Sequence, residues 1–178
     1  MRKELTELEQ CVVGVVWRDG PMTAYEIALM FTTSISSYWS GSAGAIYPLV
    51  ERLRKRGLLQ ASKGAKGRTR RTLFTTTPRG LAALKSWIAP PLPPQAGMPS
   101  FDPIRTRLFF IEVLPKAQRL VFLDEAEKVI RAQIAVVKQR RRLDTESGQF
   151  TESLGDLGAL YELQARLRWL REVRKLLG

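Results

Sequence analysis

Apolar residues recur every three or four positions near the start of the chain, at Leu8, Cys11, Val12, Val15 and Val16, and this stripe predicts an amphipathic helix. Thr6 and Glu9 precede it at capping-box spacing, the threonine oxygen meeting an early backbone N–H and the glutamate returning to the threonine N–H. Asp19-Gly20-Pro21 ends it. Thr23 and Glu26 repeat the box ahead of a shorter helix with Ile27, Met30 and Phe31 inward. A Ser- and Thr-rich connector follows, then a third helix over about 42–56, with Ile46, Leu49, Val50 and Leu53 facing a core and Gly57 free to take the left-handed conformation that closes it. The period then changes. Residues 58–63 and 71–76 read as strands flanking 64–68, whose glycines and charges suit a hairpin tip. Thr77-Pro78 opens a fourth helix, with Leu81, Leu84, Trp87 and Ile88 on its inner face.

The proline-rich run from Pro90 lacks amide donors and restricts the residues before each proline, so it reads as a stiff spacer. Beyond it, 103–113 reads as a short apolar helix bounded by Leu114-Pro115. A long helix over about 116–142 carries Leu120, Leu123, Ile130, Ile134 and Val137. A last helix of about 25 residues carries a narrow seam of Leu160, Leu163, Leu167, Leu170 and Leu177, with Arg174 at an intermediate seam position. Such a seam needs a partner helix. The two long helices can satisfy each other within one chain, but a small arm has little core of its own, and a second copy is the better partner. The expected organisation is residues 1–89 as a compact head, 90–102 as linker and 103–178 as a helical dimerisation domain. The dimerisation residues are Leu123, Ile130, Ile134, Leu160, Leu163, Leu167, Leu170 and Leu177.

Composition narrows the chemistry. The 178 residues include no histidine and one cysteine. The commonest general base, the usual nucleophile pairs and the familiar zinc ligand sets are therefore missing, and neither an enzyme nor a metal or other cofactor is expected. Cys11 lies in an apolar stretch and reads as a small core residue. The apolar runs are too short to cross a bilayer and the amino terminus does not resemble a signal peptide, so a cytoplasmic protein is expected.

The net charge of +12 is unevenly placed: 14 Lys and Arg face 6 Asp and Glu before Ala89, against 15 and 11 after it, so +8 of the excess lies in the first half. Nine basic residues, Arg52, Arg54, Lys55, Arg56, Lys63, Lys66, Arg68, Arg70 and Arg71, fall between Glu51 and Arg71 with that single acid. They cover the end of the third helix and the whole hairpin, where phosphate neutralisation would release counterions from a nucleic acid. Three helices, a basic hairpin and a fourth helix give the winged helix-turn-helix order, with the third helix as the element that enters the major groove. The fold class is mainly α with a small β-hairpin. A solvated charged face is the alternative, and an arginine such as Arg52 can instead pair with a nearby carboxylate.

Leu5-Thr6-Glu7-Leu8-Glu9, Gly20-Pro21-Met22-Thr23-Ala24-Tyr25-Glu26 and Trp39-Ser40-Gly41-Ser42-Ala43-Gly44-Ala45-Ile46-Tyr47-Pro48-Leu49 resemble the signature of the PadR family of regulators. Leu73-Phe74-Thr75-Thr76-Thr77-Pro78-Arg79-Gly80 is similar to that family's second wing strand and fourth-helix start. The carboxyl half resembles its longer-armed subfamily in length and helix pattern alone. The resemblance implies a homodimer, held by the carboxyl helices and the first helix, that binds a roughly palindromic operator and usually represses. Ligands such as phenolic acids or hydrophobic drugs often release the DNA in that family. Ala43 and Ala45 flank Gly44 where family members commonly carry polar residues, so direct base readout is expected to be sparse. Ser40, Ser42 and Tyr47 remain as hydrogen-bonding candidates, and the alanines as contacts to thymine methyls. The DNA-binding candidates are thus Ser40, Ser42, Ala43, Ala45, Tyr47, Arg52, Arg54, Lys63, Lys66, Arg68, Arg70 and Arg71. Tyr38, Trp39, Trp87 and Phe109 are candidates for a pocket that takes a small aromatic or hydrophobic effector, with core packing as the competing role. An activator, an architectural protein, an RNA binder and a winged protein-interaction adaptor are the alternatives.

Overall fold

The computed structural model describes residues 4–33, 43–66 and 69–177, with the side chains at 43, 65, 66, 69 and 70 left undescribed. It forms two compact units, Met1–Met98 and Pro99–Gly178.

The first unit is a winged helix: α1 Glu7–Asp19, α2 Ala24–Thr32, α3 Ala43–Lys55, β1 Leu59–Lys66, β2 Thr69–Thr76 and α4 Pro78–Ile88. Local chemistry sets the helix starts. Thr6 and Thr23 form complete capping boxes, with Glu9 Oε2 accepting from the Thr6 N–H at 3.0 Å and Glu26 Oε2 from the Thr23 N–H at 2.8 Å. Thr77 accepts from the Gly80 N–H at 3.0 Å and donates to the Gly57 carbonyl at 2.8 Å, so a single hydroxyl caps α4 and ties it to the end of α3. A side chain at Gly80 would run into the Leu58 carbonyl oxygen, which explains a glycine there.

Helix α3 stops in a Schellman turn. Gly57 takes φ +73°, its N–H bonds to the Arg54 carbonyl, and the Leu58 N–H reaches back to Leu53. Leu58 is buried, which seals the turn onto the core.

Strands β1 and β2 pair antiparallel, from Leu59 opposite Thr76 to Lys66 opposite Thr69. The strands run further than the sequence predicts: Gly64, Ala65 and Lys66 belong to β1 rather than to the tip, because their backbone groups find partners in Arg71, Arg70 and Thr69. Met22, just past α1, adds a bridge to Phe74, with N–H to carbonyl distances of 3.1 and 2.7 Å in the two directions. This bridge docks the α1–α2 turn on the outer side of β2.

Val12, Val13 and Val16 of α1, Ile27, Ala28 and Phe31 of α2, Ile46, Leu49, Val50 and Leu53 of α3, and Leu58, Leu59, Phe74 and Leu84 close the core. Two inward assignments from the sequence are corrected. Met30 and Ile88 are exposed, at 39% and 62%, whereas Val13 and Ala28 are buried. In short helices the stripe is wider than a single seam, and a terminal residue such as Ile88 projects past the element it would pack on.

The second unit comprises α5 Pro103–Leu108, α6 Lys116–Glu146 and α7 Phe150–Leu177, with 3₁₀ turns at Pro94–Gly97, within the first unit, and Ile111–Val113. The apolar helix expected over 103–113 breaks into α5 and the second 3₁₀ turn, and α6 runs four residues past the expected 142. Asp102 caps α5 through the Ile104 and Arg105 N–H groups and holds Arg166 of α7 at 2.8 Å. Helix α6 ends in a second Schellman turn, with Gly148 at φ +73° and the Gln149 N–H on the Asp144 carbonyl at 2.8 Å.

Leu123, Ala126, Ile130 and Val137 of α6 pack with Leu160, Leu163, Leu167 and Leu170 of α7 in one antiparallel hairpin, and Ile134 and Leu177 are half-buried. The seam expected to seek a second copy is therefore filled inside the chain. Arg174 interrupts it by pairing with Asp124 and Glu127. Among the described residues no helix is long and apolar enough to cross a membrane.

Candidate nucleic-acid interface

Helix α3 turns one face inward with Ile46, Leu49, Val50 and Leu53, and this fixes what it shows outward. Gly44, Pro48, Glu51 and Lys55 lie on the outward ridge at spacings of four, three and four. Tyr47 and Arg54 flank it on one side, Ala45 and Arg52 on the other, and all of these are exposed. Pro48 lacks the amide that would otherwise bond the Gly44 carbonyl. The first turn of the ridge is therefore low and offers a backbone acceptor where a groove would meet it. The cations gather in the second half.

Two carboxylates tune those cations. Arg54 pairs with Glu51 at 2.9 Å, an exposed i, i+3 contact that a phosphate can displace. Glu9 is the unexpected member. Its side chain is buried on α1, yet Oε1 lies 3.8 Å from Arg52 Nε and Oε2 lies 3.5 Å from Arg56, while Oε2 also closes the α1 capping box. One carboxylate thus ties the start of α1 to the basic end of α3. The sequence shows Glu9 as a capping residue, and that reading is right. Its second role depends on a tertiary contact that helical spacing does not reveal.

On the wing, Lys63 stands opposite Thr72 and Arg71 opposite Gly64. Residues of adjacent pairs point to opposite faces of a two-stranded sheet, so Lys63 and Arg71, both exposed, make the wing basic on both sides. Ser40, Ser42 and Arg68 lie outside the described residues, as do the side chains of Ala43, Lys66 and Arg70. Among the effector candidates, Tyr38 and Trp39 also lie outside them; Trp87 packs partly buried against the core of the first unit, and Phe109 is 76% exposed on the second. Cys11 is half-buried, and burial with the charge of Glu7 pushes its thiol up to about 11, so it stays protonated and unreactive at neutral pH.

Residues 12–86 match the transcriptional regulator PadR-like family. No curated protein matches the chain. Among solved structures, Bacillus subtilis PadR in complex with operator DNA superposes with a TM-score of 0.82 at 19% identity, covering 97% of this chain and 100% of that one. A PadR-like transcriptional regulator of Bacillus cereus does so with a TM-score of 0.76 at 15% identity, over 100% and 99%. Bacillus subtilis PadR in complex with p-coumaric acid gives 0.73 at 18% identity, over 96% and 94%. At these identities the likeness establishes a common fold, including the carboxyl-terminal helices.

Proposed function

We propose that this chain, whose residues 12–86 match the transcriptional regulator PadR-like family, acts in the cytoplasm as a homodimeric, sequence-specific repressor reading a palindromic operator with α3 and the wing. The observation that carries this reading is the convergence of exposed Arg52, Arg54, Lys55, Lys63 and Arg71 on one helix end and one hairpin, with a single exposed acid, Glu51, among them. Phosphate contacts from these cations would supply most of the affinity. Base discrimination would fall to Tyr47, the low Gly44–Pro48 ridge and the residues preceding α3.

Dimerisation has a surface available. With the leucine seam spent inside the chain, α6 carries a second apolar stripe of Val121, Val129, Val136 and Leu143, each more than half exposed. The last three are spaced by seven, the repeat of a helix-to-helix contact. A two-fold dimer through this stripe would present two recognition helices to two half-sites. Regulation by a small aromatic acid is the corresponding reading for effectors, supported by the solved PadR complex with p-coumaric acid.

The test is fluorescence anisotropy with the chain's own upstream DNA and a scrambled duplex at two salt concentrations, repeated with Arg54→Ala and Arg71→Ala together. A salt-sensitive preference for the upstream duplex, weakened about tenfold or more in the double variant with a shallower salt slope, is expected. Equal binding by parent and variant would remove α3 and the wing from the interface.

A further inference from the structure

The second unit holds a cleft of about 300 Å³ lined by Lys138, Arg141, Arg142 and Thr145 of α6 and Leu160 of α7. The four α6 residues follow i, i+3, i+4 and i+7 and so share one face. Stacking three cations at this spacing is unfavourable through mutual repulsion, and common structural reasons for it do not apply. The favourable field of a helix carboxyl end is confined to the last turn, and the last turn of α6 contains no basic residue. Nor are the charges consumed by ion pairs. Arg142 pairs with Glu146 at 3.1 Å, both groups being largely exposed, whereas among the described residues no carboxylate lies within ion-pair distance of Lys138 or Arg141. The neighbouring acids Asp144 and Asp156 are paired with Arg140, and Arg141 adds only a weaker attraction on Asp156 from beyond ion-pair distance. Arg141 Nε is shut off from solvent and has no hydrogen-bond partner, an arrangement that costs free energy unless an acceptor arrives.

We propose that this cleft binds a small multivalent oxyanion, carrying phosphate or carboxylate groups. The guanidiniums of Arg141 and Arg142 would supply forked donors and Lys138 a mobile point charge, with Thr145, whose hydroxyl donates to the Arg141 carbonyl, as a wall and Leu160 as an apolar floor. The volume lies at the lower end of the range for ligand sites, which suits a compact anion. The site lies on the α6–α7 hairpin, shares no residue with α3 or the wing, and does not depend on the DNA-binding reading.

Isothermal titration of the full chain with inorganic pyrophosphate and, separately, with citrate, each against chloride at matched ionic strength, tests it. One saturable site per chain for at least one anion is expected. Its affinity should fall at least tenfold in Lys138→Glu and Arg141→Gln and be unchanged in Lys128→Glu, a control on the same helix outside the cleft. Preference for pyrophosphate or for citrate assigns the phosphate or carboxylate source. Lys138 is exposed, so its variant serves even if Arg141→Gln folds poorly. No saturable binding beyond the chloride control, or equal binding by Lys138→Glu and the parent, overturns the proposal. Operator anisotropy on the same variants should be unaltered without anion, which separates failure of this site from failure of the DNA interface.

Discussion

The two units bury their apolar residues in opposite ways. In the winged helix, four helices and a hairpin converge from several directions, so each stripe meets another and the core closes around Val12, Val13, Ile27, Val50 and Leu53. In the second unit, two long helices meet along one line. Each helix covers the other on one side only, leaving Val121, Val129, Val136 and Leu143 on α6, and Leu154 and Tyr161 on α7, exposed. A two-helix layer cannot enclose a core by itself. The first unit thus closes its own core, while the second leaves apolar side chains uncovered on the outer faces of both helices.

The comparison breaks most sharply when each kind of surface is damaged separately. Val129→Asp with Val136→Asp places two carboxylates on the outer stripe and touches nothing buried. Analytical ultracentrifugation should show self-association weakened by about 100-fold or more, roughly 3 kcal/mol, with helicity retained. Leu53→Ala should do the reverse, costing about 2–5 kcal/mol of stability in the winged helix and leaving the mass of the folded species unchanged. A dimer that survives the double aspartate variant would place the contact on another surface.

The same contrast explains what was legible in the sequence. Helix caps are local chemistry, and Thr6, Thr23 and Thr77 announce α1, α2 and α4 correctly. Gly57 likewise marks the end of α3. The leucines of α7 correctly announce a partner helix, but periodicity carries no label for which chain supplies it. The structure gives that role to α6, and the stripe left over is the weaker, valine-rich one. Buried acids were the least visible. Glu9 reads in sequence only as a capping residue and Asp102 and Asp156 as ordinary surface residues, yet each is buried beside an arginine distant in the chain: Arg52 and Arg56, Arg166, and Arg140 respectively.

Glu9→Gln sharpens the comparison at the winged helix. Glutamine keeps an oxygen for the Thr6 N–H, so the cap survives, but Arg52 and Arg56 lose their shared charge. Both pairs are long and Arg52 is more than half exposed, so screening limits the loss of stability to about 1 kcal/mol or less. The loss of this acid beside Arg52 should tighten binding to a scrambled duplex a few-fold and steepen its salt dependence. Looser binding in the variant would mean that Glu9 acts chiefly by holding α3 in position.

Asp156 offers the smallest and most specific probe of the second unit. Loss of hydration in its buried site lifts its carboxyl above the ordinary range; Arg140, 3.4 Å away, pulls it down, and the charge and hydrogen bonding of Asp144 push it up again. Because the folded value exceeds the unfolded one, a proton on Asp156 favours the folded hairpin. That contribution is complete below the unfolded carboxylate value of about 3.9 and is lost as the pH rises through the raised value. Asparagine mimics the protonated form in shape and carries no charge. Asp156→Asn should therefore raise the melting temperature at pH 7 by a few degrees at most, on the order of 1 kcal/mol, with the advantage shrinking toward zero near pH 4. Thermal melts of parent and variant across that window measure it. A variant that melts lower at pH 7 would show that the Arg140 pair outweighs the lost hydration, and that the acid braces the α6–α7 turn rather than straining it.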